Sequence, residues 1–269
     1  MKKLIPALCM LLVAACLMGT STYAWFAAND AVTAEGMQVK AVSEGGLAIA
    51  SYLANGNAPN DTDYVTAAKV QWSNAMKTAD GKTTYGATLK PASFDATTGK
   101  WWTTTAATAD KWQKADDAVY ADADSNAYYL LTKWSIKSLD QSGTDYNLAI
   151  RNIDIDGSAT AGTVDALLEK SLRVMVKVGT TYTKFAPNYE TTVTSGYTYT
   201  DGTNATVADT VTPAKSTTAI DKVVGTVDNA GTTVEVYIYF EGTDPNCMSV
   251  NAQDLNELEF TITWAAIEQ

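Results

Sequence analysis

The sequence predicts an all-β protein: an antiparallel two-sheet sandwich of the jelly-roll type, preceded by an N-terminal signal helix. Three observations support this class. Apolar and polar residues alternate over many short stretches, the turns between them are rich in Gly, Asn and Asp, and only one stretch has a helical pattern. Neither an internal repeat nor a proline-rich linker divides the body, so residues 25–269 are expected to form a single domain.

The first 24 residues have the three parts of a secretory signal. Two lysines precede an apolar run over residues 4–18, and small residues then lead to the junction of Ala24 and Trp25. The apolar run is shorter than the roughly 18–20 residues of a membrane-spanning helix. The sequence therefore predicts cleavage between Ala24 and Trp25, an extracellular or cell-surface location, and no membrane attachment after cleavage.

A second processing site overlaps this signal. Residues 13–16, Val-Ala-Ala-Cys, look like a lipobox, in which Cys16 is acylated and becomes the first residue. One lipid chain gives marginal membrane binding, whereas two hold a protein at a membrane. Cys16 equally fits the leader as an ordinary apolar residue, so a surface lipoprotein stays open as the alternative.

The strong acidity of the chain limits its partners. The formal net charge is −11, and cleavage after Ala24 removes two lysines and no acid. Such a charge argues against nucleic acid and anionic membranes as partners. Cys247 is the only cysteine outside the leader, so the cleaved chain has no intrachain disulfide and depends on its core.

The absence of histidine limits the chemistry. It excludes Ser-His-Asp and Cys-His nucleophile systems and histidine-ligated zinc. A carboxylate-only glycosidase remains chemically possible, but the sequence shows no pair of acids that points to one. We therefore expect a protein that is not an enzyme and that requires no cofactor.

The N-terminal half begins with a strand, a turn and a strand. Alternation over residues 37–41 is interrupted by Gly45-Gly46 and resumes at residues 47–51. Residues 55–63 are rich in turn formers and are expected to be a loop. Residues 65–76 fit either a short helix or a strand.

Three tryptophans in the next region have two interpretations. Trp101, Trp102 and Trp112 lie in a polar, Thr/Ala-rich stretch. They are either packing residues or a stacking platform for a carbohydrate or other ligand. Packing is the favoured interpretation, because aromatic side chains dominate cores.

The clearest strand patterns lie in the second half of the chain. In the stretch 172–178, Leu172 and the valines alternate with Arg173, Met175 and Lys177, which predicts a strand with one buried face. Residues 163–170 predict one short helix after a threonine N-cap. Residues 188–232 are rich in Thr, Ser, Asp and Gly and are expected to be long surface loops with weak hairpins. Further strands are predicted at residues 128–137, 146–150, 234–240 and 258–264.

An incomplete calcium-loop pattern follows the tryptophans. Asp122, Asp124 and Asn126 place oxygen ligands at alternate positions. The glycine of loop position six is replaced by Ala127, and the glutamate of position twelve by Lys133. An ordinary turn explains these residues as simply as a metal site does.

Residues 22–41, TYAWFAANDAVTAEGMQVKA, resemble the start of the TasA/camelysin family of secreted matrix-fibre proteins. That family has a signal ending in an aromatic–Ala step, an aromatic mature start containing Asn-Asp, and then a strand of small residues. The C-terminal end is also similar, with a crossover containing Asn251-Ala252-Gln253 before the last strand. The resemblance covers these two ends and not the middle of the chain.

The resemblance implies a jelly-roll sandwich, export through a dedicated signal peptidase, and assembly into extracellular fibres of a biofilm-matrix type. In such fibres the N-terminal segment of each subunit adds as a strand to its neighbour. The implied partners are copies of this chain or related fibre subunits, and the signal peptidase during export. Some members have been called metalloproteases, but without histidine and an HExxH motif that activity is not carried over.

The chemistry of residues 25–36 independently suits strand donation. The segment contains neither proline nor lysine, the residues that usually protect an edge. A donated strand satisfies the open N–H and C=O groups of an acceptor edge, while its side chains fill pockets along that edge. The donor residues are predicted to be Trp25, Phe26, Ala28 and Val32. The alternative is that the segment folds back on its own sandwich.

Overall fold

The computed structural model describes a protein built almost entirely of strands. Its first and last described strands are β1 (Val32–Thr33) and β18 (Glu259–Ile267), and its one complete described helix is a 3-10 turn, Asp61–Asp63. It describes residues 32–33, 38–44, 46–52, 58–66, 70–72, 88–89, 91–96, 99–103, 113–114, 129–140, 145–156, 170–187, 193–200, 204–214, 219–242, 244, 247 and 259–269.

The strands between these two follow the chain in order. They are β2 (Gln38–Glu44), β3 (Leu47–Ser51), β4 (Val65–Thr66), β5 (Val70–Trp72), β6 (Thr88–Leu89), β7 (Ser93–Asp95), β8 (Lys100–Thr103), β9 (Gln113–Lys114), β10 (Leu130–Ser138), β11 (Tyr146–Asp156), β12 (Leu172–Val178), β13 (Thr181–Ala186), β14 (Val193–Thr200), β15 (Asn204–Pro213), β16 (Lys222–Val227) and β17 (Thr232–Phe240).

Two large sheets dominate the topology. One has eight strands in the order β14-β15-β13-β12-β17-β10-β3-β4, and the other has five in the order β16-β11-β18-β2-β5. A three-stranded sheet, β7-β8-β9, and a two-stranded pair, β1-β6, complete the described strands. Pairing is antiparallel except between β13 and β15 and between β18 and β2.

The core lies between the two large sheets. Alternating residues of β10, β12 and β17 meet alternating residues of β11 and β18 in one buried cluster. Trp134 from one sheet and Trp264 from the other pack edge to face, with ring centroids 5.6 Å apart. This arrangement confirms the predicted all-β sandwich with largely antiparallel sheets.

A second, aromatic layer covers the outer face of the eight-stranded sheet. The Trp101 ring of β8 stacks on Tyr129 at 4.4 Å between centroids and meets Tyr239 edge-on at 5.0 Å. Phe94 of β7 packs against Trp101 at 4.9 Å and against Tyr182 at 4.8 Å. Both faces of the eight-stranded sheet are therefore buried where the three-stranded sheet lies.

That covering layer corrects one prediction. Arg173 and Met175 of β12 were expected on a solvent face, yet both are fully buried, because the three-stranded sheet lies over the end of the strand that contains them. Lys177, on the same face, is only partly buried. Period-two alternation indicates which residues share a face, but it does not show whether that face is covered.

The prediction for residues 188–232 was also wrong in part. Instead of loops with weak hairpins, β14 and β15 form a hairpin with eight register pairs, and β16 is an edge strand of the five-stranded sheet. Threonine and tyrosine have high strand propensity, which explains how a segment poor in aliphatic residues forms long strands.

The helix and leader predictions concern residues that are mostly not described. Lys170 and Ser171 are helical, whereas residues 163–169 and the leader, residues 1–24, lie outside the described residues. In the part of the chain that the structure describes, no helix has the length and apolarity to cross a membrane.

Candidate assembly site

The structure describes one of the four predicted donor residues. Val32 lies in β1, while Trp25, Phe26 and Ala28 are outside the described residues, as are the processing residues Ala24 and Cys16. The calcium candidates Asp122, Asp124 and Asn126, together with Trp112, also lie outside them.

The described part of the donor segment is already paired within its own chain. Val32 is opposite Leu89 and Thr33 is opposite Thr88, in antiparallel register with β6. These two residue pairs form a separate two-stranded sheet. A two-stranded ribbon is marginal by itself, so these two pairs alone contribute little stability.

The segment leads directly into the five-stranded sheet. After β1 the chain enters β2, which runs parallel to β18 from Gln38 opposite Glu259 to Glu44 opposite Ala265. On its other side β2 pairs with β5 through residues 39–41 only. Among the described residues, no strand pairs with residues 42–44 on that side.

The tryptophans of β8 are packing residues. Trp102 is 1% exposed, and Trp101 makes ring contacts with Tyr129, Tyr239 and Phe94. Trp102 is buried, which agrees with the packing interpretation. Trp101 is partly exposed and packs against these three rings.

A buried ion pair holds the segment after β17 against β12. Arg173 donates from Nη2 to Asp244 Oδ2 at 2.7 Å, and both side chains are almost completely buried. Arg173 Nη1 also donates to the carbonyls of Lys170 and Leu172, at 2.6 and 2.9 Å. Burial alone lowers the pKa of Arg173, but the negative charges of Glu241 and Asp244 outweigh it, so the pKa is raised and the guanidinium stays charged.

The same cluster fastens the three-stranded sheet to the end of β17. Ser93 of β7 donates from its hydroxyl to Glu241 Oε1, and both residues are fully buried. The backbone continues this junction, since Ala92 N donates to Phe240 O at 3.1 Å and Gly242 N donates to Ala92 O at 3.0 Å. The aromatic layer is thus attached at one end by hydrogen bonds to buried polar groups.

Cys247 belongs to this buried region and has no nucleophilic character. Its side chain is completely buried, and burial raises the pKa of the thiol, so the sulfur stays protonated at neutral pH. Thiolate chemistry requires the opposite environment. Cys247 therefore acts as a small apolar packing residue.

A charged row lies at the rim of the aromatic layer. Glu235 of β17 lies between Lys177 on one neighbouring strand, at 2.9 Å, and Lys133 on the other, at 3.7 Å. Burial alone raises the pKa of Glu235, but hydrogen bonds from Lys177 and Tyr237 and the two lysine charges reverse this and lower it. Burial and the hydrogen bond to Glu235 raise the pKa of Tyr237, which stays protonated as the donor.

Sequence reasoning missed the buried polar cluster. The segment from Glu241 onward is rich in polar residues, yet Glu241 and Asp244 are buried. The pairing joins Arg173 and Asp244 across 71 positions, so no local pattern reveals it. Within the described residues, no group of three or more His, Cys, Asp or Glu side chains is arranged to hold a metal ion.

No protein-family model, no curated protein and no solved structure matches this chain. The sandwich, the strand pairing of the N-terminal segment and the buried polar cluster are therefore the grounds for a functional proposal.

Proposed function

We propose that this chain is a secreted, non-enzymatic structural protein that polymerises by N-terminal strand donation into extracellular or cell-surface fibres of a biofilm-matrix type. Residues 25–36 of one subunit leave their own chain and complete a sheet of the next. The partners are further copies of this chain or related fibre subunits, and a signal peptidase during export. Nucleic acid is not a partner, and the cleaved chain has no membrane anchor.

The observation that carries the proposal is the pairing of Val32 and Thr33 with β6. It supports donation in two ways: the segment is competent to form a strand, and within the described residues two register pairs join it to its own chain. Exchange of such a short pairing for a longer one on a neighbour gains backbone hydrogen bonds. A tail that adds to a different surface on the next subunit makes a heterologous contact, which propagates into a filament when the rotation does not close.

Deletion of the tail tests the proposal directly. A chain that begins at Glu35 lacks Val32 and Thr33 but retains β2 and both large sheets. We expect it to keep the β-type circular dichroism spectrum and the cooperative melting of the cleaved chain, and to form no filaments by electron microscopy. Filaments as abundant as those of the cleaved chain would reject strand donation.

A point substitution sharpens this test. Val32→Lys places a lysine, a residue that protects edges, in the donor segment, whereas Leu139→Lys adds the same charge at a 39% exposed position outside any strand. We expect Val32→Lys to slow filament growth at least about tenfold, a cost of roughly 1.4 kcal/mol, and Leu139→Lys to leave it unchanged. Equal growth rates would show that the segment is not donated.

The lipoprotein alternative rests on Cys16 and predicts a different N-terminus. Mass spectrometry of the chain recovered from its native host distinguishes the two. Trp25 as the first residue supports cleavage after Ala24 and the fibre proposal, whereas an acylated Cys16 supports a membrane-anchored module. The burial of Trp102 and the ring contacts of Trp101 count against these two residues as a ligand platform.

A further inference from the structure

The edges of the two large sheets differ in how they are protected. Three of the four have the features by which soluble proteins prevent edge pairing. β4 has two residues and β5 has three. β16 begins with the exposed Lys222, and its register with β11 shifts between Leu148 and Ala149.

The fourth edge, β14, has none of these features. Its eight residues, VTSGYTYT, include no charged residue and no proline. All eight pair with β15, from Val193 opposite Val211 to Thr200 opposite Asn204, without a register shift. In the described part of the chain no strand pairs with its other side. A long, regular, uncharged edge is a template for pairing with another chain.

The hairpin of β14 and β15 also extends beyond the sheet that it joins. β15 contacts β13 through two register pairs only, Phe185 with Thr212 and Ala186 with Pro213. In the part of the chain that the structure describes, most of the hairpin is therefore a two-stranded ribbon, and such a ribbon is marginally stable until further strands join it. The sequence of β15 includes a charged residue, Asp209, and a proline, Pro213, whereas β14 has neither, so β14 is the better edge for an added strand.

We propose that β14 pairs in antiparallel register with β14 of a second copy of this chain. The two hairpins then form a four-stranded sheet in which both β14 strands are central. The residues of β14 favour this occupant: an antiparallel β14 pair places only Val, Thr, Ser, Gly and Tyr opposite one another and no like charges. This uncharged edge is therefore a place where two copies can meet although their net charge of −11 opposes contact through most other surfaces. The contact is isologous and closes at two copies, and it does not depend on donation of the N-terminal segment.

An antiparallel pair of β14 strands fixes the distances between residues of the two copies. In an antiparallel pair, opposed Cα atoms lie about 4.5–5.5 Å apart, which is within the range of a disulfide. A cysteine near the two-fold axis of the pair therefore meets its own copy. The two β15 strands are three strand spacings apart, roughly 14 Å, too far for a disulfide.

A cysteine scan of the full chain tests this geometry. In a Cys9→Ser/Cys16→Ser background the remaining native thiol, Cys247, is completely buried. The scan compares four single substitutions on β14: Ser195→Cys, Gly196→Cys, Tyr197→Cys and Thr198→Cys. Each variant is oxidised under mild conditions and analysed on a non-reducing gel. Thr206→Cys is the matched control, because Thr206 is the register partner of Thr198 on β15.

We expect the covalent dimer to peak at one or two adjacent positions of β14, at least about tenfold above Thr206→Cys. The same peak is expected when Val32→Lys is added, which separates this contact from filament formation. No dimer, an equal yield at all positions, or a yield at Thr206→Cys that equals the peak would overturn the proposal. So would loss of the peak in the Val32→Lys chain.

Hydrogen exchange gives an independent measurement on the unsubstituted full chain. The outward-facing amides of β14 are expected to exchange at least about tenfold more slowly when the protein concentration is raised through the range in which the dimer forms. Exchange of the β14 amides that does not depend on concentration would overturn the proposal, whatever the cysteine variants show.

Discussion

The two faces of the eight-stranded sheet are buried in different ways. The inner face packs against the five-stranded sheet through aliphatic residues and the Trp134–Trp264 pair. The outer face packs against the three-stranded sheet through tyrosines, Phe94 and Trp101, with buried charges at one end and a lysine–glutamate row at the rim. The same strands thus contribute to an apolar core on one side and a mixed aromatic and polar layer on the other.

The difference teaches how each face is specified. The inner face depends mainly on apolar side chains of the right size. The outer face depends on pairs such as Arg173 with Asp244 and Ser93 with Glu241, each of which needs its own partner in place. We therefore expect substitutions on the inner face to lower stability because they leave cavities. Substitutions on the outer face should lower stability because they leave buried charges without a partner, or should unfold that layer locally.

The largest expected effect is on the inner face. Trp264→Ala removes a fully buried ring and its edge-to-face partner contact, and should lower the free energy of unfolding by about 4 kcal/mol. Urea denaturation measures this loss. Leu139→Ala, at a 39% exposed position, is the control and should change stability by less than about 0.5 kcal/mol. A loss below about 1 kcal/mol for Trp264→Ala would contradict a close-packed inner core.

The buried ion pair gives the next largest effect. Asp244→Ala leaves the Arg173 guanidinium buried without its carboxylate and should cost about 3 kcal/mol. The double variant Arg173→Met/Asp244→Leu removes both charges and should recover at least half of that loss, again measured by urea denaturation. If the double variant is less stable than Asp244→Ala, the stability lost in Asp244→Ala does not come from the unpaired charge of Arg173.

Trp101→Ala should have a smaller and more local effect. Trp101 is only partly buried, so we expect a loss of about 2 kcal/mol, while Trp101→Phe retains part of the packing. Hydrogen exchange should accelerate in β7 and β8 and stay unchanged in β11. Equal acceleration in all three strands would show that the outer layer and inner core unfold as one unit.

The smallest effect concerns the charged row. Because the pKa of Glu235 is lowered in the folded protein, its ionised form stabilises the fold above the ordinary glutamate pKa of about 4.3. This contribution, at most about 1 kcal/mol, is lost as the pH falls through the folded-state pKa. Glu235→Gln should remove that part of the acid sensitivity in thermal melts between pH 6 and about pH 2.5. An unchanged pH profile would exclude a role for Glu235.

The inner face was predictable from the sequence and the outer face was not. Alternation in β12 and β17 marks Val174, Val176 and Val236 as one apolar side, and local spacing suffices because sheet geometry repeats every two residues. The burial of Arg173 depends on a three-stranded sheet and on Asp244, which are distant in sequence and leave no local signature. β14 was not predictable for another reason: it is built mainly from Thr and Tyr and lacks the aliphatic alternation that is typical of a half-buried strand.

The candidate assembly site was predictable only as a segment. The lack of proline and lysine in residues 25–36 indicates strand competence, and the pairing of Val32 with Leu89 agrees with it. The strand with which the segment pairs was not predictable, because β6 lies about 56 residues further along the chain and has only two residues. The roles of Trp25, Phe26 and Ala28 as donor residues remain predictions, because these residues lie outside the described part of the chain.

The parallel pairing of β2 with β18 has a consequence for biogenesis. These strands come from opposite ends of the chain, yet they are neighbours in the middle of the five-stranded sheet. A chain under synthesis therefore lacks the central strand of this sheet until the residues of β18 have emerged. Partial folding of the five-stranded sheet is disfavoured until then, so the two distant strands must be present together before the sheet can form.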